Sequence, residues 1–374
     1  MQKKIIALAV AGLASTAAFA QTNVTIYGVA DAAFVYTNTN GGGNTAATNN
    51  GNGKDKFAVD SGGLAGSRIG FKGTEDLGNG LKAVFVLEYA LNLDNNSGIG
   101  NTGGLNARQQ LVGLSTKAGD VTLGRQYAPG YYTLAMDALA ASPVLSVVDQ
   151  AQTAIGSTVR GATPARWNNS VNYKTANWGG FSAQAIYAMG ENTNEIAMGE
   201  SYGIGADYAA GPVAVKYVYQ NASNNQGGAS APTGTVPGVM NGAQQEHYIG
   251  ASYDFKVVKL MTSAQILDKG NRSNAGGQAA EGAVYQFGAV VPVGKGNIHA
   301  SYAYADLNSA SRQGPGTYVG EYQGVSVAYT HGLSKRTTLY TGLRYQDMDS
   351  KGNSAHAGSG AVTTVFGAGI NHTF

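Results

Sequence analysis

Apolar and polar residues alternate along most of this chain with a period of two, which is typical of β-strands. In the final segment Phe366, Ile370 and Phe374 fall on one face, whereas Gly367 and Asn371 fall on the other. The alternation continues to Phe374, the last residue. A final strand with one apolar face can pair back to the first strand, so the pattern predicts a closed β-barrel.

Short polar turns and longer loops rich in Gly, Asn and Ser separate these segments in alternation. The seven short turns are 75–80, 117–120, 176–179, 210–212, 256–259, 293–296 and 332–335. The eight long loops are 37–62, 92–106, 127–165, 190–200, 221–244, 270–282, 308–320 and 349–360. Together they predict an all-β fold of 16 antiparallel strands, with the short turns and both termini on the periplasmic side.

Charged residues lie on the face opposite the aromatic ones. Leu81, Phe85 and Tyr89 share one face of their segment, and Lys82 and Glu88 share the other. In a soluble sandwich or propeller the aromatic face would form the core, whereas in a membrane barrel it would face lipid and the charges would face a lumen. The alternation itself is compatible with both classes of protein.

The first 20 residues have the features of a secretory signal peptide. Lys3 and Lys4 form a basic start, residues 5–13 are apolar, and Ala18 and Ala20 form a small-residue cleavage site. We therefore expect residues 1–20 to be a signal peptide and residues 21–374 a single barrel domain. No later apolar run is long enough for a transmembrane helix, so the signal, the strand count and the terminal Phe favour an outer-membrane barrel.

The composition agrees with a membrane barrel. The chain has 55 Gly and 22 Tyr, and only 12% of its residues are charged, about half the usual share. Of its 24 basic residues two lie in the signal, which leaves 22 against 22 acidic residues and gives no indication of nucleic-acid binding. The chain has no cysteine, and its five His residues show no metal-ligand spacing, so neither a metal nor another cofactor is expected.

Several stretches in this order resemble the general trimeric porins of Gram-negative outer membranes, as known from β-proteobacteria. These stretches are 24–31, 67–78, 80–85, 108–115, 121–126, 169–173, 333–340 and 371–374. The resemblance implies a homotrimer of 16-stranded barrels in outer-membrane lipid and lipopolysaccharide, conducting ions and small hydrophilic solutes. It also implies that the third long loop folds into the barrel and narrows it.

The parity of the strands selects the charges that would line the pore. The basic candidates on the lumen face are Arg68, Lys82, Arg108, Arg125 and Arg166, and the further lumen charges are Glu88 and Arg344. By resemblance, Arg68, Arg108 and Arg166 match a basic cluster on the wall of the constriction. Water can solvate such residues, whereas an Arg facing lipid at mid-membrane would cost roughly 2–4 kcal/mol.

The longest loop, 127–165, carries two acids, Asp137 and Asp149, and a stretch over residues 134–141 that is predicted to form a short helix. If the loop folds inward, these acids would oppose the arginines and produce a transverse field across the water column. The basic residues outnumber the two acids, which indicates a weak anion preference. Asp31, Glu88 and Asp207 also reach the lumen face, and the resemblance leaves the sign of selectivity open.

Two other kinds of function remain as alternatives to a diffusion channel. A substrate-selective channel would show aromatic tracks or a dense row of charges, and a plugged surface-binding or adhesion barrel would need a large inserted domain. No G-x-S-x-G stretch with partner His and Asp is evident, so the sequence does not indicate an enzyme.

Overall fold

The computed structural model describes residues 23–40, 54–95, 105–190, 200–222, 244–270, 280–307, 320–350 and 361–374. The expected signal peptide, residues 1–20, lies outside the described residues. Of the eight expected long loops, only 127–165 lies wholly within them.

The described residues form 17 strand segments in one antiparallel sheet. They are β1 Asn23–Asn40, β2 Lys54–Ser61, β3 Arg68–Gly78, β4 Leu81–Ala90, β5 Ala107–Thr116, β6 Gly119–Tyr127, β7 Arg166–Thr175, β8 Phe181–Ala188, β9 Ser201–Ala210, β10 Val213–Ala222, β11 Gln244–Asp254, β12 Lys259–Gly270, β13 Ala280–Val293, β14 Gly296–Leu307, β15 Gly320–Gly332, β16 Thr337–Ser350 and β17 Ala361–Thr373. Each segment from β3 onward pairs with the next one along the chain.

The 17 segments occupy 16 positions around a closed barrel. β2 pairs with one half of β1, and β3 pairs with its other half, so these two segments together form the second barrel strand. β17 returns to β1 with the register Val29↔Thr373 and closes the barrel. The expected 16-stranded antiparallel barrel is therefore confirmed.

All seven expected short turns connect consecutive segments. Their local sequences suit tight turns, because Asn79 and Gly80 both have positive φ, at 53° and 79°. We call this end of the barrel the turn end and the opposite end the loop end.

One face of the sheet is exposed and apolar, and the other is buried. In β13 Tyr285 and Phe287 are 49% and 53% exposed, whereas the alternate residues Val284 and Gln286 are 2% and 4% exposed. A closed barrel with an exposed aromatic face and a buried face containing polar residues is the arrangement expected when the surrounding solvent is lipid.

The connection between β6 and β7, residues 128–165, packs on the buried face. It contains a 3-10 helix, Pro129–Met136, an α-helix, α1, Val147–Ala154, and a second 3-10 turn, Thr163–Ala165. The first 3-10 helix contacts β8 to β12, and α1 contacts β13 to β16. Within the described residues, no helix is both long and apolar enough to serve as a membrane span.

Candidate functional site

A group of arginines surrounds one buried glutamate near the loop end of β3 to β7. Nε of Arg108 donates to Oε1 of Glu88 at 2.7 Å, and Nε of Arg68 lies 3.9 Å from Oε2. The hydroxyls of Tyr127 and Tyr27 also donate to Glu88, at 2.7 and 3.0 Å. Glu88 and Arg108 are each only 5% exposed. A buried ion pair requires such additional hydrogen bonds to compensate for desolvation.

Arg166 and Arg125 lie beside this ion pair. The guanidinium carbon of Arg166 is 6.0 Å from the ring centre of Tyr127, and Arg166 interacts electrostatically with Arg108. Nη1 of Arg125 donates to Oδ1 of Asn168 at 2.6 Å, and Nε donates to the Ala107 carbonyl at 2.9 Å. We call Arg68, Arg108, Arg125 and Arg166 the arginine cluster. Glu88 is the carboxylate that forms ion pairs with its members in the described part of the chain.

Three tyrosine rings extend from the arginine cluster along the β6–β7 connection. Tyr127 and Tyr131 are stacked with ring centres 3.6 Å apart, and Nη2 of Arg108 donates to both hydroxyls. Tyr132 meets Tyr131 edge-on at 5.8 Å. Lys174 and Lys216 lie 5.1 and 5.9 Å from the ring centre of Tyr132. Burial raises the pKa of Tyr132 to about 12, so its phenol is neutral at physiological pH.

Two of the expected pore charges lie elsewhere. Lys82 is exposed and pairs with Asp76 beside the Asn79–Gly80 turn. Arg68 pairs with Ala90, which lies eight residues further along β4 than Lys82. At about 3.3 Å per residue this separation is roughly 26 Å, so Lys82 does not belong to the arginine cluster. Arg344 is 7% exposed on β16, one of the strands that α1 contacts, rather than on an open wall.

Asp137 does not face the arginine cluster. Its carboxylate accepts hydrogen bonds from the amides of Leu139 and Ala141 and from the Ser146 hydroxyl. Burial raises the pKa of Asp137, and the Ser146 hydrogen bond opposes this shift. The predicted helix over 134–141 is wrong, because the 3-10 helix ends at Met136 and the next residues form turns around this carboxylate.

Asp149 also forms its ion pair within the β6–β7 connection, with Arg160. Its two carboxylate oxygens accept from Nε and Nη2 of Arg160, at 3.1 and 2.9 Å. Asp149 lies at the N-terminus of α1, where its amide donates to the Ser146 side chain. The expectation that Asp137 and Asp149 directly oppose the arginines therefore does not match their contacts.

Polar wall residues that the sequence did not single out hold the β6–β7 connection. Glu246 accepts hydrogen bonds from the Ser157 hydroxyl at 2.5 Å and from the Thr158 amide at 2.6 Å. Gln220 accepts from the Gly130 amide at 2.6 Å, and Gln286 donates to the Met136 carbonyl at 2.6 Å. His299 contacts the Ala138 carbonyl at 2.7 Å. Their only sequence signal is a polar residue on the less aromatic face of a strand.

Phe374 lies at the closure between the first and last strands. Its amide and carbonyl exchange hydrogen bonds with Gly28 at 3.2 and 3.1 Å. A Cβ on Gly28 would lie 2.3 Å from the Phe374 ring and 2.5 Å from the Arg68 carbonyl oxygen, so a larger residue there requires the closure to shift. Asp31, fully buried nearby, accepts from the Tyr340 hydroxyl at 2.6 Å and from Nδ2 of Asn371 at 2.7 Å. It thereby links β1 to β16 and β17.

Among the described residues, no group of three or more His, Cys, Asp or Glu side chains is arranged to hold a metal ion. The site presents charge, hydrogen-bond donors and aromatic surface.

Comparison with known proteins gives consistent matches along the whole chain. A family model described as Gram-negative porin matches residues 7–351. Outer membrane porin protein 32 of Delftia acidovorans is 33% identical over 391 residues, covering 100% of both chains. The major outer membrane protein P.IB of Neisseria meningitidis serogroup B is 28% identical over 384 residues, again covering 100% of both chains.

Solved structures share the fold. An anion-selective porin from Comamonas acidovorans has a TM-score of 0.73 at 28% identity and covers 95% of this chain and 100% of its own. OmpF of Salmonella typhi in complex with daunomycin has a TM-score of 0.63 at 17% identity, covering 95% of this chain and 98% of its own.

Proposed function

Since this chain belongs to the Gram-negative porin family and is an outer-membrane channel for passive diffusion, we propose that its pore prefers anions and that the arginine cluster sets this preference. The permeating species would be ions and small hydrophilic solutes. No chemical step is required of the protein in this function, because a narrow charged passage is sufficient to discriminate among ions.

The arginine cluster is the observation that carries the proposal. Arg68 and Arg108 form ion pairs with the single carboxylate of Glu88, and Arg166 interacts with it electrostatically. Arg125 interacts in turn with Arg166, so four guanidinium groups are close to one carboxylate. In a narrow passage with low-dielectric walls, unbalanced charge raises the local concentration of counter-ions. The acids that were expected to balance it, Asp137 and Asp149, are engaged within the β6–β7 connection. The similarity to a porin described as anion-selective supports the same sign of selectivity.

We further propose that the β6–β7 connection lies within the lumen and narrows it beside the arginine cluster. Its contacts run from β8 to β16 on the face opposite the exposed aromatic residues. A single segment can reach the same face of so many strands of a closed barrel only by crossing the interior. Tyr131, near the start of this connection, and Tyr127, the last residue of β6, would place an aromatic surface against Arg108.

The assembly proposed for the membrane is a homotrimer, as membership of this family suggests. The exposed apolar faces of the strands would contact outer-membrane lipid, and the loop end would contact lipopolysaccharide. Single-channel recordings test the assembly, because a trimer with three open pores shows conductance steps in groups of three.

The sign of selectivity can be tested by measuring the zero-current potential of the purified protein in a planar bilayer across a KCl gradient. We expect an anion-selective potential for the wild type and a smaller one for Arg166→Gln. The matched control is Lys335→Gln, which removes a positive charge from the exposed turn at 333–336. A cation-selective wild type, or equal potentials for wild type and Arg166→Gln, would contradict the proposal.

The row of tyrosines favours a second candidate, a channel selective for anions with a flat apolar part. Tyr131 and Tyr132 connect the arginine cluster to Lys174 and Lys216, so an aromatic carboxylate would meet cations and rings along one path. Asp120 and Asp207 lie opposite these lysines and moderate their charge. Permeability to benzoate that exceeds permeability to acetate, and that falls with Tyr132→Leu, would support this candidate over a general channel.

A further inference from the structure

A row of polar groups without partners crosses the buried face beneath α1. Nε and Nη1 of Arg344, Oγ of Ser326, Oγ of Ser301 and Oε1 of Gln286 are buried and form no hydrogen bond within the described part of the protein. Arg344 faces Ser326 in the strand register, and Ser326 faces Ser301. Ser301 in turn faces Gly288, and Oε1 of Gln286 is directed towards the position of a Gly288 Cβ at 3.6 Å.

These groups are close together and shielded from bulk water. Directly opposed residues on neighbouring strands have Cβ atoms about 4.5–5.5 Å apart, so Arg344, Ser326 and Ser301 form a continuous polar strip. The exposed fractions of these three residues are 7%, 2% and 5%. Buried donors without partners are rare in native proteins, because each one loses its hydrogen bonds to water without gaining others.

Among the described residues, no carboxylate forms an ion pair with Arg344. Asp149 is near enough to act on it electrostatically, but in the described residues the ion pair of Asp149 is formed with Arg160, through two hydrogen bonds. Asp137 is already satisfied by Ser146 and by backbone amides. Within the described part of the chain, Nε and Nη1 of Arg344 are thus buried donors of a charged group that no carboxylate contacts, which is costly in a low-dielectric interior.

The start of α1 lies at the same place, and the Asp149 carboxylate in its first turn is paired with Arg160. Leu145 and Val147 lie over Gly342 and Gly324, at 3.0 and 2.9 Å from the Cβ positions of these glycines. Gly342 and Gly324 are two positions along β16 and β15 from Arg344 and Ser326. The N-terminus of a helix carries a partial positive charge, which favours an anion.

We propose that Arg344, Ser326 and Ser301 form a buried binding site for one small monovalent anion, such as chloride, between the barrel wall and α1. A water molecule would satisfy the hydrogen bonds but not the charge of Arg344, whereas an anion satisfies both. The bound ion would fix α1 to β15 and β16. This site is separate from the arginine cluster and goes beyond the proposed selectivity of the pore.

Bromide provides a direct probe, because it replaces chloride and scatters X-rays anomalously. Crystals of the full barrel grown with bromide should show an anomalous peak within hydrogen-bonding distance of Nε or Nη1 of Arg344. The peak should disappear in Arg344→Gln, weaken in Ser326→Ala, and persist in Arg336→Gln, which changes an exposed arginine in the turn before β16. An ordered water without anomalous signal at Arg344 in the wild type would overturn the proposal.

Thermal unfolding in detergent gives a second readout that needs no crystal. Replacing chloride with gluconate, a much larger anion, should lower the unfolding midpoint of the wild type and of Arg336→Gln but not that of Arg344→Gln. Equal chloride dependence in all three proteins would contradict the proposal. These outcomes can be distinguished from failure of the proposed selectivity, because neither the anomalous peak nor the chloride dependence of unfolding is read from the zero-current potential.

Discussion

Neutralising Glu88 tests the electrostatic reasoning most directly. Glu88→Gln keeps the shape of the side chain and one acceptor oxygen for Arg108, but removes the carboxylate charge that the arginine cluster surrounds. The net positive charge beside the passage increases by one unit. We therefore expect a stronger anion preference, with the opposite sign from the Arg166→Gln result.

The size of the effect follows from Coulomb's law. One unit charge about 6 Å from an ion path changes the energy of a monovalent ion by about 0.7 kcal/mol at the dielectric constant of water. Anions are stabilised and cations are destabilised by this amount, so the energy difference between an anion and a cation in the pore changes by about 1.4 kcal/mol. The anion-to-cation permeability ratio should therefore increase about tenfold. A lower effective dielectric constant in the pore would make the increase larger.

The measurement is the zero-current potential near 0.1 M salt, where the screening length is about 10 Å, rather than 1 M, where it is about 3 Å. Glu200→Gln is a matched control, since Glu200 accepts a hydrogen bond from the exposed Tyr187 hydroxyl at 2.5 Å, away from the arginine cluster. The change should shrink at 1 M salt. An unchanged ratio at low salt, or a shift towards cations, would show that Glu88 does not act on the permeating ion.

Three further predictions concern stability and the position of the β6–β7 connection. Glu246→Ala removes the acceptor for Ser157 and Thr158, so the β6–β7 connection should be held less firmly against the wall. Single-channel recordings should then show more frequent conductance fluctuations than those of the wild type. Equal current noise in the two proteins would show that Glu246 does not hold the connection. Asp31→Asn replaces a hydrogen-bonded carboxylate at the closure and should lower the free energy of unfolding by about 1–3 kcal/mol in a urea titration, and an unchanged midpoint would contradict this. Gly28→Ala places a Cβ against Phe374 and should destabilise the closed barrel by about 1–3 kcal/mol. A smaller fraction of the protein should then migrate as the folded, heat-modifiable form on electrophoresis, and an unchanged fraction would show that the closure can relax.

The barrel itself could be predicted because its signals are local. Alternation identifies the strands, and Gly- and Asn-rich stretches such as Asn79–Gly80 identify the turns. The division of the second barrel strand into β2 and β3 had no such signal. It depends on Asp31, which accepts hydrogen bonds from the Leu64 and Ala65 amides and so holds the chain between the two segments away from regular pairing.

The conformation of the β6–β7 connection could not be predicted for the opposite reason. Its contacts are with strands far along the chain, as for Gly130 with Gln220 and Met136 with Gln286. The hydrogen-bond partners of each acid also depend on the local conformation of the connection. Asp149 pairs with Arg160, 11 residues later, and Asp137 accepts hydrogen bonds from neighbouring amides. Counting acids and bases in a loop does not reveal which of them remain free to act on an ion.

The arginine cluster shows that two properties decide which residues share a region of the pore wall: the face of the strand on which a residue lies and its position along the strand. Parity assigns a residue to one face of a strand, and in an antiparallel meander consecutive strands are neighbours, so Arg68, Arg108 and Arg166 share a region of the wall. Each lies within two residues of the loop end of its strand, whereas Lys82 is the second residue after a turn. Lys82 has the correct parity but lies near the turn end. Counting residues from the nearest turn would have separated it from the others, because each residue advances about 3.3 Å along the strand.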